Sequence, residues 1–141
     1  MEKDVIISIK GVQRYENADP DTMELVTAGR LEREGNSYTL SYQESELTGL
    51  EGTLTTFQIE PERITLMRVG EFNSQMVFQE GRRHMSMYNT PYGAMTIGVN
   101  TRHLLAELDD QGGEIEIDYA IEIDHSVAGR NTFQINVKEA E

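Results

Sequence analysis

Three histidines, His84, His103 and His125, and a row of carboxylates, Glu114, Glu116, Asp118, Glu122 and Asp124, are the side chains best able to do chemistry. The histidines stand far apart, with neither the His-x-His nor the His-Glu-x-x-His spacing of a preformed metal site. Each reads first as a hydrogen-bonded structural or surface histidine. Ser86 and His84 would share one strand face about 6.6 Å apart, too far for a direct nucleophile–base bond. There is also no Gly-x-Ser-x-Gly turn to expose a serine. Thr48-Gly49-Leu50-Glu51-Gly52 has the glycines of a phosphate loop but neither its lysine nor a following helix. The expectation is a protein without a catalytic constellation, a metal centre or a cofactor.

The cations are more suggestive. Arg63, Arg68, Arg82, Arg83, His84 and Arg102 gather in the middle of the chain. Alternation puts Arg68 on one face with Ile64 and Leu66, and Arg102 with Thr96, Gly98 and Asn100. An arginine offers a planar fork matched to carboxylate or phosphate. Polar residues recur in otherwise apolar strands at Tyr42, Glu44, Arg68, Gln75, His84 and Tyr88, and these form the candidate ligand-binding cluster. The plainer reading pairs Arg68 with Glu44 and leaves Arg82 and Arg83 to solvate a hairpin. The carboxylate row reads as the wet face of a strand, whose countercharge must come from neighbouring strands because no Lys or Arg lies between Arg102 and Arg130. Its sharper alternative is a surface for a divalent cation or a basic partner.

The elements that must position these residues are strands. In residues 114–124, Ile115, Ile117, Tyr119, Ile121 and Ile123 alternate with the acids, a period of two that gives one dry and one wet face. Phe133, Ile135 and Val137 repeat the pattern after a turn at Ala128-Gly129-Arg130-Asn131. Further strands are expected near residues 23–31, 38–43, 53–59, 64–69, 75–78 and 84–88, and from Ala94 to about Leu105, separated by Gly-, Pro- or Asn-bearing turns. Residues 75–78 and 84–88 flank a turn and are expected to pair as a hairpin, with Met76 opposite Met85. No amphipathic helix is evident; residues 104–108 read as the end of the long strand. About ten short-linked strands make an antiparallel meander, and closure into a barrel removes the sticky edges of an open sheet.

Composition sets outer bounds. The chain has 141 residues, a net charge of −13 and no cysteine. That length suits a single domain over residues 1–141. The acidic balance disfavours nucleic acid and anionic membrane surfaces, because phosphate is bound by Lys and Arg. No apolar run approaches the ~20 residues of a membrane helix. The first residues lack the apolar stretch of a signal peptide, so a cytoplasmic setting is expected.

Several blocks carry a resemblance: Ile7-Ser8-Ile9-Lys10-Gly11, residues 42–53 (Tyr42-Gln43-Glu44-Ser45-Glu46-Leu47-Thr48-Gly49-Leu50-Glu51-Gly52-Thr53), Asn73-Ser74-Gln75-Met76-Val77-Phe78, Gly81-Arg82-Arg83-His84 and Tyr88-Asn89-Thr90-Pro91-Tyr92-Gly93. In these the chain resembles the YwiB-like family of small bacterial proteins of unknown function. The resemblance implies a calycin-like (lipocalin-type) β-barrel and a cytoplasmic bacterial setting, and no reaction. Some calycin-type barrels bind haem through one histidine; here the histidines and the methionine-rich face read equally as an ordinary core. The reading that follows is a non-enzymatic, all-β barrel that binds a small anionic or amphipathic ligand in its lumen or at its mouth. The alternative is a protein-interaction or structural module that uses the acidic strand face or edge-strand pairing, as in a homodimer.

Overall fold

The computed structural model describes residues 2–14, 19–45, 50–70, 73–90, 93–123 and 126–140, with strand assignment alone for residues 87–90 and 94–95. Ten strands follow in chain order: β1 (Glu2–Arg14), β2 (Asp21–Glu34), β3 (Ser37–Gln43), β4 (Thr53–Ile59), β5 (Ile64–Gly70), β6 (Ser74–Phe78), β7 (Arg83–Thr90), β8 (Gly93–Asp109), β9 (Gly112–Ile123) and β10 (Ser126–Glu139). The described residues contain no helix. The strands form one sheet in the order β6-β5-β4-β3-β2-β1-β10-β9-β8-β7. The first and last strands pair antiparallel from Val5↔Glu139 to Arg14↔Arg130, which curls the meander into a nearly closed barrel.

The period of two explains which face looks inward. Val5, Ile7 and Ile9 of β1, Ile115, Ile117 and Tyr119 of β9, and Ile135 and Val137 of β10 are buried, while their chain neighbours face out. These belong to a single core cluster that also takes in Leu31, Leu40, Phe57, Ile64, Leu66 and Phe78. Each such side chain contributes roughly 1.5–3 kcal/mol by leaving water. The acidic residues Glu114, Glu116, Asp118 and Glu122 project outward, as alternation requires; Asp124 and His125 lie outside the described residues. A bulge between Thr101 and His103 shifts the alternation on β8. Ile97, Val99 and Thr101 point inward before it, and Leu104 packs on the core after it.

One expected pairing does not form. β6 and β7 carry no ladder between them and are the two edges of the sheet, lying side by side at the seam of the barrel. The turn at residues 79–82 closes with Arg82 N–H donating to Gln79 O at 2.9 Å. Its outer corner is then taken by β8, where Gly81 N–H donates to Thr101 O at 2.9 Å and Thr101 N–H to Arg82 O at 3.2 Å. β7 pairs with β8 from Arg83↔Asn100 to Thr90↔Gly93, so its hydrogen bonds are committed away from β6. Faces are therefore not transmitted across the turn: Met76 and Phe78 point into the core, whereas Met85 is 54% exposed on the outside. The expected placement of Met76 opposite Met85 is corrected accordingly.

Candidate functional site

Antiparallel succession sends the connections after β1, β3, β5, β7 and β9 to one end of the barrel, the mouth. The tight turn at residues 35–36, the turn at residues 60–63 and the turn at residues 110–111 lie at the other end. At that other end Arg33 and Tyr38 both reach Asp110, at 3.2 Å each, and Arg63 pairs with Glu60 at 3.1 Å. Just inside the mouth is a cavity of about 400 Å³. Leu66, Met76, Ile97, Tyr119, Ile121 and Phe133 give it apolar walls, and Arg68 lines it. A smaller cavity of about 210 Å³ adjoins it through Gln13, Met23, Tyr119, Asn131 and Phe133. Tyr119 and Phe133, which line both cavities, have ring centres 5.8 Å apart, and the buried Phe78 ring stands 4.7 Å from that of Tyr119. Small-ligand sites commonly run ~300–1,000 Å³, with mostly apolar walls and few polar groups.

A polar row crosses the strands beside this cavity. The register places Tyr42 opposite Thr55 and Thr55 opposite Arg68, and residues directly opposite share a face. Glu44 follows Tyr42 on the same face and is buried, its backbone N–H tied to Thr53 O at 2.9 Å. Thr55, fully buried, donates from Oγ1 to Glu44 Oε1 at 2.7 Å. Burial pushes the Tyr42 phenol well above its ordinary pKa. The Glu44 charge and the hydrogen bond to Glu44 push the same way, and Arg68 opposes them.

The expected Arg68–Glu44 ion pair is not formed. Among the described residues Arg68 makes no ion pair, and its Nε is buried without a hydrogen-bond partner. A guanidinium holds five donors in a fixed fork, and a buried donor left unmade costs about 1–3 kcal/mol. A donor so placed, at the wall of an apolar cavity, suits an acceptor on a bound molecule.

The structure thus brings together Tyr42, Glu44 and Arg68 of the expected cluster. Gln75 does not join them: it stands opposite Met67 and is exposed on the outer face of β6, because Met76 and Phe78 take the inner positions. His84 is half-buried and opposite the buried Val99, but its Nε2 meets Gln79 Oε1 at 3.1 Å. Gln79 follows Phe78, whose partner Ile64 lies four residues before Arg68, about 13 Å along the strand. His84 therefore belongs to the seam. Tyr88 is on β7, its side chain outside the description. Arg102 is exposed at the β8 bulge. Arg83 does more than solvate a turn: its Nε meets Glu122 Oε2 at 2.9 Å on the outer face. The guanidinium lies over Gly98, where an added Cβ would come within 3.2 Å of Arg83 Nε. Arg83 on β7 thus supplies countercharge to the acidic row, and His103 stands between Glu80 at 3.4 Å and Glu116 at 3.8 Å. Among the described residues no group of three His, Asp or Glu converges to hold a metal ion.

Sequence reasoning missed the far wall of the cavity, formed by Gln13, Met23, Asn131 and Phe133, and the buried threonines Thr53 and Thr55. A signal for the threonines was present: both alternate in phase with Phe57 and Ile59. The far wall had none, since β1, β2 and β10 meet β5 only across the lumen.

Comparison with known proteins places these features. No curated protein sequence matches the chain. A solved structure, that of the ywiB protein from Bacillus subtilis, superposes with a TM-score of 0.86 over 99% of this chain and 94% of that one, at 20% sequence identity. The shared architecture is the ten-stranded, nearly closed antiparallel barrel. A family model described as a domain of unknown function, DUF1934, matches residues 7–135, from the first core strand to the last. On that coverage the chain belongs to the DUF1934 family.

Proposed function

We propose that the protein is a non-enzymatic binding barrel that holds a small anionic or amphipathic molecule in the mouth cavity, with the apolar part against Leu66, Ile97, Tyr119 and Phe133 and the polar head at Arg68. The observation that carries this reading is the unpartnered, buried Arg68 Nε at the wall of a 400 Å³ apolar cavity. A purely structural core would be expected to fill such a volume, or to pair such a donor. The reading is supported over a protein-interaction surface because Glu122 of the acidic strand is already paired within the chain, to Arg83. The sheet edges also lie against each other at the seam.

The test is native mass spectrometry of the protein purified without denaturation from its own host, beside an Ile97→Trp variant that fills the cavity. The wild type should carry a small molecule that the folded variant lacks. A wild-type protein of bare polypeptide mass that also takes up no added amphiphile would refute the reading.

A further inference from the structure

The proposed site has one cation in its wall and, behind it across Thr55, one anion. Arg68 faces Thr55 across the β4–β5 ladder, and the Thr55 hydroxyl donates to Glu44 Oε1 at 2.7 Å. Glu44 is 7% exposed, so its charge acts through protein rather than bulk water. Tyr42 is opposite Thr55 and feels both charges, which places Arg68 and Glu44 in one electrostatic neighbourhood. Among the described residues that line the cavity, Arg68 is the sole charged side chain apart from Asp21 at the rim of the smaller lobe.

We infer that the mouth cavity selects a monocarboxylic acid with a compact apolar tail, and that Glu44 is the residue that rejects phosphate and other dianions. The inference rests on the ligand-binding reading above. A single carboxylate satisfies the guanidinium fork with two parallel hydrogen bonds and leaves the Arg68, Glu44 and ligand set at one net negative charge. A phosphate monoester brings up to a second negative charge into the same low-dielectric corner. In a corner of effective dielectric ~20–40, that extra charge beside Glu44 weakens binding by roughly tenfold. A neutral head such as a hydroxyl offers a single acceptor atom and forgoes the paired, charge-assisted bonds. The protein's net charge of −13 works in the same direction, since it repels multiply charged anions more strongly than singly charged ones.

The experiment is calorimetric titration of the full chain with decanoate, decyl phosphate and decanol below their micelle concentrations, at neutral pH. The proteins are wild type, Arg68→Gln and Glu44→Gln, each checked for native circular dichroism. Glutamine at 44 keeps an oxygen to accept from Thr55 and removes the charge. Decanoate should bind wild type about tenfold or more tighter than either other probe. Arg68→Gln should bring decanoate down to the level of decanol. Glu44→Gln should raise decyl phosphate about tenfold more than it raises decanoate, and leave decanol where it was. If decyl phosphate outbinds decanoate on wild type, or if Glu44→Gln shifts all three probes alike, the charge selection is overturned. Equal binding of the three, indifferent to both substitutions, would overturn the selection while leaving an amphiphile-binding cavity intact. Failure of all three to bind folded wild type would overturn the cavity reading itself.

Discussion

Replacing Arg68 by methionine should make the protein more stable. Methionine retains a long flexible stem that can follow the walls formed by Leu66 and Met76, and it removes the guanidinium. Arg68 Nε is buried without a partner, and such a donor costs about 1–3 kcal/mol. Against that gain stands the loss of a positive charge near Glu44. The two make no ion pair, so across protein of effective dielectric ~20–40 the attraction is worth about 1 kcal/mol, and Glu44 keeps its hydrogen bond from Thr55. The net is a gain of about 1 kcal/mol. For 141 residues the unfolding entropy is about 0.3 kcal/mol per kelvin, so the melting temperature should rise by ~3 °C. Differential scanning calorimetry of the ligand-free protein reads this directly, with urea unfolding as a second measure. A fall of several degrees would refute the reasoning, because it would mean that Arg68 supports the fold and is not held ready for a ligand. Residues kept for binding are those whose replacement stabilises a protein and abolishes its function.

Three further outcomes follow from the packing. At Gly29 an added Cβ would stand 2.4 Å from Ile7 Cδ1 and 2.6 Å from the backbone oxygen of Ser41, so Gly29→Ala should destabilise by about 1–3 kcal/mol in urea unfolding; a neutral result would mean that β2 and β3 can part there freely. Tyr42 is held in its neutral form by burial and by Glu44, so below about pH 10, where the phenol is protonated folded or unfolded, stability is complete; above it the unfolded chain ionises first and stability falls with pH. In an ultraviolet titration of the folded protein Tyr42 should stay protonated until the alkaline unfolding transition, so Tyr42→Phe should remove one phenol from the late-ionising set. Arg83→Ala breaks a pair with Glu122 in which Arg83 is 40% exposed, and should cost no more than about 1 kcal/mol; a loss beyond ~2 kcal/mol would show that the pair pins the seam.

The strands of this protein and the direction each faces were legible in its sequence wherever a strand is dry on one side and wet on the other. β9 shows this best. Its isoleucines and acids alternate without a break, and a one-residue slip would bury the whole acidic row, so no other arrangement is tolerable. The closure into a barrel followed from the number of strands and the shortness of their turns. Part of the site was legible too, since Tyr42, Glu44 and Arg68 interrupt apolar faces in phase.

Three matters were decided only in three dimensions. The pairing of β6 with β7 was not one that alternation could settle, because the corner at residues 79–82 spends its hydrogen bonds on Thr101 of β8, far away in sequence. That competition turned Met85 outward, kept Gln75 on the surface and bound His84 to Gln79. Whether Arg68 is paired could not be read either, since Glu44 chooses between a charge and the hydroxyl of Thr55, and only cross-strand register makes the threonine its partner. The cavity belongs wholly to tertiary structure. Its walls come from both halves of the meander, and whether side chains that meet across a lumen fill it depends on the curvature of the closed sheet, which no local pattern encodes.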